Sequence, residues 1–495
     1  MVTAFRSVRS GVARGWSHGL TLLFVAITLY TGLQLAYRTP IGDVADEPAH
    51  IARSVALLHG QIFGVRHMTA RGEDSGVLID SGLARAARAE TVARPAGAVS
   101  TSPKIGARRV AAARAISWSG QRIYVQASGA VEYFPAFYLP GALGVEAGAL
   151  AGQRPLAALY TGRLFMLLSY VVIGAFALSL ARFGQPLLFA LLSLPMSVSL
   201  AASFNQDGQL IAAAALCGAL LTWDRAAFPQ ARWIAAGIFA VLLCSKPPYG
   251  LLLFCALVPL AGRDGPRRLV RLGAFGLPAL LWVLAMMRFT FTPVRRKPYH
   301  PGPLWPGDPH LLLHSTDPAG GVRVLLADPL RILTLPYFDI VHQFGQFRMQ
   351  FIGVLGWLNL NLPNSWYHGW GDALIAAALA TLVSGSLGAV RWRWQDAVFI
   401  LVLIGATIIA VELSLYLDWT NVGGAQIIGV QGRYYLVIAP FVLLIVPRIG
   451  AWLNRWTGWR YCADTVRALC MLPVVAMALI TAYQLPDMLM RSFYR

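Results

Sequence analysis

Long apolar blocks alternate with polar segments along the chain, at about 19–37, 157–181, 185–202, 207–223, 232–245, 249–262, 269–291, 369–390, 396–416, 434–450 and 465–485. Several reach the ~20 residues that an α-helix needs to cross a bilayer core of ~30 Å. The first block follows Arg6, Arg9 and Arg14. It reads as a signal anchor rather than a cleaved leader, because so many apolar blocks come after it. One further stretch, 132–152, is apolar but broken by prolines and glycines.

Loop charge decides what that stretch does. Short arginine-rich loops belong in the cytoplasm, and "WDRAAFPQARW", "GRDGPRRLVR", "RWRWQD" and the stretch from Arg448 to Arg467 are of that kind. "SFNQDG", "SKPPYG" and "DWTNVGGAQIIGVQG" carry almost no arginine and belong outside. With the N-terminus inside, all of these agree only if 132–152 does not cross but lies at the membrane surface or re-enters. The expected architecture is an all-α polytopic membrane protein of about eleven spans. Residues 1–37 form a cytoplasmic N-terminus and first span, and 38–156 a first periplasmic loop with juxtamembrane helices. Residues 157–291 hold spans two to seven, 292–368 a second long periplasmic loop, and 369–495 spans eight to eleven, with the C-terminus outside. The Ala/Arg/Gly-rich middle of the first loop, 81–115, shows no clear core, and no transporter-like internal repeat stands out.

Composition narrows the class. Of 495 residues 57% are hydrophobic and 13% charged, and mean hydropathy is +0.58. Too few charges exist to cover the soluble domains that a chain of this length would form. The net charge of +19, from 41 Lys+Arg against 22 Asp+Glu, serves orientation and attraction to anionic lipid head groups. No basic, aromatic-studded soluble domain is present, so nucleic acid is not an expected partner. Cys217, Cys244, Cys255, Cys462 and Cys470 lie in or beside apolar runs and read as small core residues.

Charges near helix ends gather on the outer side: Arg163, Asp207, Lys246, Arg288, Glu412, Asp418 and Arg433. Charge inside a bilayer is costly, so one-sided clustering implies a polar cavity opening outward. The densest chemistry is "IGDVADEPAHIARSVALLHG". There Asp46 or Glu47 can cap a helix with Pro48 in its first turn, and Asp46, His50 and Arg53 can share a helical face. A carboxylate so held could take a proton from a hydroxyl nucleophile; the plainer alternative is a capping box with a surface histidine. Asp207 opens a span with Asn205 beside it, and Lys246 before Pro247 and Pro248 is a point charge for a phosphate. Gln431, Arg433 and Tyr434 follow glycines that admit a ligand to the backbone. Arg433 is either a phosphate fork or an interfacial anchor. Asp46, Glu47 and Asp207 are carboxylates of the kind that suit Mg²⁺ or Mn²⁺. Histidine spacing matches no zinc motif.

Five motifs occur in one order: "DEPAH", "FNQDG", "KPPY", "IGVLGWLNLNLP" and "GVQGRYY". Together they resemble a bacterial family of multi-pass membrane proteins of mostly uncharacterised function that looks related to the GT-C glycosyltransferases. The D-E-x-x-H is also similar to the acidic motif of protein O-mannosyltransferases. The resemblance runs over about residues 40–440, and the 61–130 insertion departs from the compact loop of that kind.

That resemblance implies a polyprenyl-phosphate-linked sugar as donor, a glycan or glycolipid acceptor, and inverting transfer on the periplasmic face of a bacterial inner membrane, in envelope polysaccharide biosynthesis. It implies Asp46 as base, with Glu47 second, and Asp207 as the acidic residue of the second outer loop. Lys246 and Arg433 are inferred for the lipid phosphate. A polysaccharide polymerase or ligase would share this chemistry, and a lipid-linked-sugar transporter is the alternative of another class.

Overall fold

The computed structural model describes residues 2–69, 72–91, 104–260, 264–386, 393–457 and 463–494, without the side chains of 2–17, 384–386, 457 and 463. The side chains of Arg6, Arg9 and Arg14, together with Arg71, Arg94 and Cys462, lie outside the described residues.

Among the described residues, five helices are long and apolar enough to cross a membrane: His18–Arg38, Pro155–Leu180, Gly265–Phe289, Trp394–Asp418 and Asp464–Phe493. A bent pair, Gly432–Leu444 with Val446–Trp456, meets at 53° and makes a sixth if it is one span. The chain is a polytopic helical membrane protein. Other apolar blocks form shorter pieces than the expected eleven full-length spans. Asp207–Leu221 and Ala231–Ser245 are 15 residues each, or ~22 Å at 1.5 Å per residue. The 185–202 block breaks in two, Gln185–Ser193 and Pro195–Ala201, because Pro195 drives Leu194 out of the helical region. These pieces can be short because they are enclosed: from Leu187 to Ala215 the chain is almost wholly buried.

The helix ends sort into two groups. At one end sit the short arginine-rich loops. Trp223 Nε1 donates to Leu180 O at 2.8 Å, Arg225 and Arg268 both donate to Leu257 O at 2.9 Å, and Leu260 N donates to Asp396 at 2.8 Å. At the other end, Ile105 N donates to Phe493 O at 2.8 Å and Arg66 reaches Met287 O at 3.1 Å. The last helix therefore ends on the same face as the first span, beneath the long polar segments.

Those segments correct the all-α expectation. Val65–Thr69, Gly72–Asp80 and Arg122–Gln126 form a three-stranded antiparallel sheet in that order. The 81–115 region, expected to lack a core, carries helices Ser81–Ala89 and Ala107–Ala115. The first is capped by Asp80, whose side chain accepts from Leu83 N. Leu83, Ala86, Ala87 and Ala113 pack with Ile51, Val55, Val77 and Ile79 in one buried cluster. An alanine face between arginines hides a core that bulkier residues would have announced. The 132–152 stretch forms a short 3₁₀ turn, Pro135–Tyr138, and a 12-residue helix, Leu139–Leu150. That helix is ~18 Å long and lies along Pro155–Leu180, Gly144 and Gly162 allowing close approach.

One buried ion pair positions the loop after the first span. Arg163 Nη2 meets Glu47 Oε2 at 2.5 Å with both side chains fully buried, and Nε adds a second bond to Oε1 at 2.8 Å. The same guanidinium caps the end of the first helix, donating to the carbonyls of Ala36, Thr39 and Pro40 at 2.8, 2.6 and 2.9 Å. Glu47 also accepts from Gly42 N at 2.9 Å and Phe204 N at 3.2 Å. Gly42 has a φ of +83° and no room for a side chain, since a Cβ would lie 2.4 Å from Ala87 O. Arg163→Met leaves a buried carboxylate unpaired and is expected to destabilise the fold by about 3–5 kcal/mol, read as a lower unfolding midpoint in detergent. Adding Glu47→Gln should recover part of that loss. An unchanged midpoint for Arg163→Met would mean that the loop is held by something else.

Candidate functional site

Four charges alternate in sign on the face where the first span ends. Asp46 Oδ2 lies 3.1 Å from Arg433 Nη2. Arg433 Nε lies 3.7 Å from Asp207 Oδ2, and Asp207 Oδ1 lies 3.5 Å from Lys246 Nζ. They come from four distant segments. Asp46 precedes helix Glu47–Leu57, Asp207 opens Asp207–Leu221, Lys246 ends Ala231–Ser245, and Arg433 sits in the 3₁₀ turn Gly432–Leu436. Alternation lets each charge offset its neighbour's desolvation. Exposure is concentrated at Asp46: its side chain is 57% exposed, against 2%, 9% and 18% for Arg433, Asp207 and Lys246.

Local backbone explains why Asp46 faces outward. It has φ 62° and ψ 4°, a left-handed conformation that Asp tolerates better than most residues, and its side chain makes no capping bond. The capping-box reading is therefore corrected. Pro48 follows in the first turn, where its missing N–H is no loss. Trp357 Nε1 holds the loop from above by donating to Gly42 O at 2.8 Å, and Asn205 Nδ2 donates to Ala45 O at 3.1 Å. Gly432 is compelled at its position: a Cβ would lie 2.0 Å from Phe347 O. Its N–H donates to Gln350 Oε1 at 2.8 Å, which fixes the turn bearing Arg433.

Tyrosines wall the site. Lys246 Nζ sits 5.1 Å from the Tyr133 ring centroid and 4.9 Å from that of Tyr434, while Arg433 lies 5.5 Å from Tyr434. Tyr249 Oη donates to Tyr434 O at 2.9 Å. His50 stacks between Tyr133 and Tyr138 at 6.2 and 5.7 Å, and its Nδ1 shares a 2.6 Å hydrogen bond with the Tyr138 hydroxyl. Burial lowers the His50 imidazolium to about 4, against opposing pulls from Asp46 and Asp207. Burial likewise pushes the Tyr133 phenol up to about 12. Neutral His50 and un-ionised Tyr133 leave Asp46 as the accessible anion.

The residues expected from the sequence separate into two groups. Asp46, His50, Asp207, Lys246, Arg433 and Tyr434 come together, with Gln431 on the turn beside Arg433. Glu47, expected as second base, has both oxygens engaged and no exposed surface, so it is a fastening for the loop. Arg53 does not share the site's face. It donates to Gln61 O at 3.1 Å and Tyr133 O at 2.9 Å, and anchors the segment carrying Tyr133.

Sequence reasoning missed Tyr133 and Tyr138, in a stretch read only for whether it crosses, and Gln206. The Gln206 amide is fully buried with neither end paired, and Gln431 Oε1 and Arg433 Nη1 are also unpaired. Buried polar atoms without partners mark where a ligand's groups would complete the bonding. The carboxylates do not gather into a metal's donor set, and no group of three or more His, Cys, Asp or Glu suited to a metal occurs among the described residues. Glu47 is committed to Arg163, and Asp46 and Asp207 both face Arg433.

His50 makes stability depend on pH. An unfolded histidine protonates near 6.5 and the folded one at about 4, so stability is full above pH 6.5 and falls as pH drops toward 4, by up to about 3 kcal/mol. The unfolding midpoint of wild type should fall more between pH 7 and 4.5 than that of His50→Gln. Equal slopes would show that His50 takes no part.

No curated protein and no solved structure matches the chain. Residues 29–442 match the family described as "Predicted membrane protein (DUF2142)". That span contains all five motifs and every member of the charge row, and the chain belongs to this family of membrane proteins.

Proposed function

We propose that this protein is a GT-C-type glycosyltransferase that moves a sugar from a polyprenyl-phosphate donor to a glycan acceptor, with inversion. The observation that carries the reading is the contact of one exposed carboxylate, Asp46, with the buried Arg433, and the link through Asp207 from Arg433 to the partly buried Lys246. A hydroxyl acceptor needs a base, and a departing lipid phosphate needs positive charge; the row offers both within a few ångströms.

In this mechanism Asp46 takes the proton of the acceptor hydroxyl as its oxygen bonds to the anomeric carbon. The bond from that carbon to the phosphate oxygen breaks, and the electron pair leaves with the polyprenyl phosphate. Arg433 and Lys246 stabilise the charge that develops there, and Asp207 holds both cations in place. Tyr133 and Tyr434 offer the flat apolar faces on which a sugar ring stacks. Gln431 Oε1, unpaired on the turn beside Arg433, is available to its hydroxyls.

The same reading orients the chain. Arginine-rich short loops favour the cytoplasm, which supports a periplasmic position for the Asp46 face in a bacterial inner membrane. The shorter enclosed helices and Asn364–Ser386 would run between the two ends, giving about eleven passages of the chain.

Transfer from a radiolabelled polyprenyl-phosphate sugar in membranes tests the mechanism. Asp46→Asn should lower the rate by about 100-fold or more at equal protein level. Arg433→Lys, which keeps the charge but loses the fork, should weaken transfer less. Lys246→Met should lower kcat, as expected for a cation that stabilises charge developing on the leaving phosphate. Full transfer by Asp46→Asn would remove the base from the mechanism.

A further inference from the structure

Away from the Asp46 row, a cavity of about 680 Å³ opens where three membrane-crossing helices end together. Tyr37 and Arg38 close the first span, Leu156 and Tyr160 lie in the first turns of Pro155–Leu180, and Met490 and Tyr494 come from the end of the last helix. Converging span ends mark the level where hydrocarbon gives way to water, so the cavity lies at the depth of lipid head groups.

Its polar lining is cationic. Arg38, Arg114 and Arg154 all reach it, and none pairs with a carboxylate among the described residues. Arg38 Nε donates to Gln34 at 2.7 Å. Arg154 Nη1 makes long bonds to Arg114 O and Ala115 O, at 3.4 and 3.3 Å. Among the described residues, the remaining guanidinium nitrogens of these three arginines have no hydrogen-bond partner. One acid lines the cavity, Glu90, and it is buried and engaged: Oε2 accepts from Ile41 N at 3.3 Å and from the Tyr160 hydroxyl at 2.9 Å. The rest of the lining is largely apolar or aromatic, with Tyr37 stacked on Tyr160 at 5.5 Å.

Guanidinium groups at head-group depth beside an apolar wall suit a phosphate carried on a lipid. We infer that this cavity binds the phosphate of an anionic lipid, with Arg38, Arg114 and Arg154 as its grip. The site reaches the loop that bears Asp46. Glu90 holds the Ile41 amide, and the next residue, Gly42, donates to Glu47. A bound lipid would therefore steady the segment between the first span and Asp46. This inference stands apart from sugar transfer and does not depend on it.

Native mass spectrometry of the full chain, with dioleoyl phosphatidylglycerol titrated against dioleoyl phosphatidylcholine, reads the preference directly. Wild type should retain the anionic lipid selectively, and each of Arg38→Gln, Arg114→Gln and Arg154→Gln should reduce that selectivity by about fivefold. Arg114→Glu, an exposed charge reversal that leaves the core alone, should abolish it. Lys246→Met should keep the preference; its loss there would move the lipid to the Asp46 row and overturn the assignment. So would equal retention of the two lipids by wild type. Sodium phosphate alone should not raise the unfolding midpoint, whereas phosphatidylglycerol should. A matching rise with free phosphate would make the ligand a soluble phosphate and overturn the lipid.

Discussion

The Arg163–Glu47 pair is the constraint on which the rest of the site depends. Both partners are fully buried, and an ion pair at that depth is tolerable only when its remaining hydrogen-bonding capacity is met. Here it is met by the loop itself and its neighbour: three carbonyls at the end of the first helix, the Gly42 amide, and the Phe204 amide. Satisfying the pair therefore dictates the path of residues 36–47. It also draws the 203–207 turn against them, and Asp46 and Asp207 are delivered to the same place.

Five motifs that sequence alone could only list in order turn out to be parts of this one construction. "DEPAH" supplies Asp46 and the fastening Glu47. "FNQDG" supplies Phe204, Asn205 and Asp207, and "KPPY" supplies Lys246 and Tyr249. "IGVLGWLNLNLP" folds into a tight hairpin, Val354–Leu355 against Leu360–Asn361, whose Trp357 clamps Gly42 O. "GVQGRYY" supplies Arg433 on a turn that only Gly432 permits. Segments up to 387 residues apart converge here, and each makes a specific bond to another.

Much of this was legible, and the reasons for the failures are physical. Charge in an apolar chain is informative, so Asp46, Asp207, Lys246 and Arg433 could be picked out by where they fall relative to apolar blocks. The division between Asp46 and Glu47 could not, because adjacent acids look alike until a partner is known. That partner, Arg163, lies 116 residues away on the second long helix. Tyr133 and Tyr138 escaped notice because aromatic residues in an apolar stretch carry no distinguishing pattern. The sheet and alanine-packed helices of the first polar segment were hidden for the opposite reason. The helices contribute mostly alanines, Ala86, Ala87 and Ala113, too small to signal burial, and the cluster is completed by Ile51 and Val55 from a helix read only for its charges.

The separation of the two acids is also what makes the centre chemically useful. A carboxylate saturated by an arginine is a strut, and one that keeps a free face beside an arginine is, in the proposed mechanism, a base. Glu47 belongs to the first kind, with two bonds from Arg163 and two from backbone amides. Asp46 belongs to the second, with a single 3.1 Å contact to Arg433 and more than half its surface open. The left-handed backbone at Asp46 produces this difference between neighbours, turning one side chain outward while the next points into the bundle. Strain at a single residue is small beside the cost of burying a second unpaired acid. The fold can hold that conformation because Glu47 fastens the chain immediately after it.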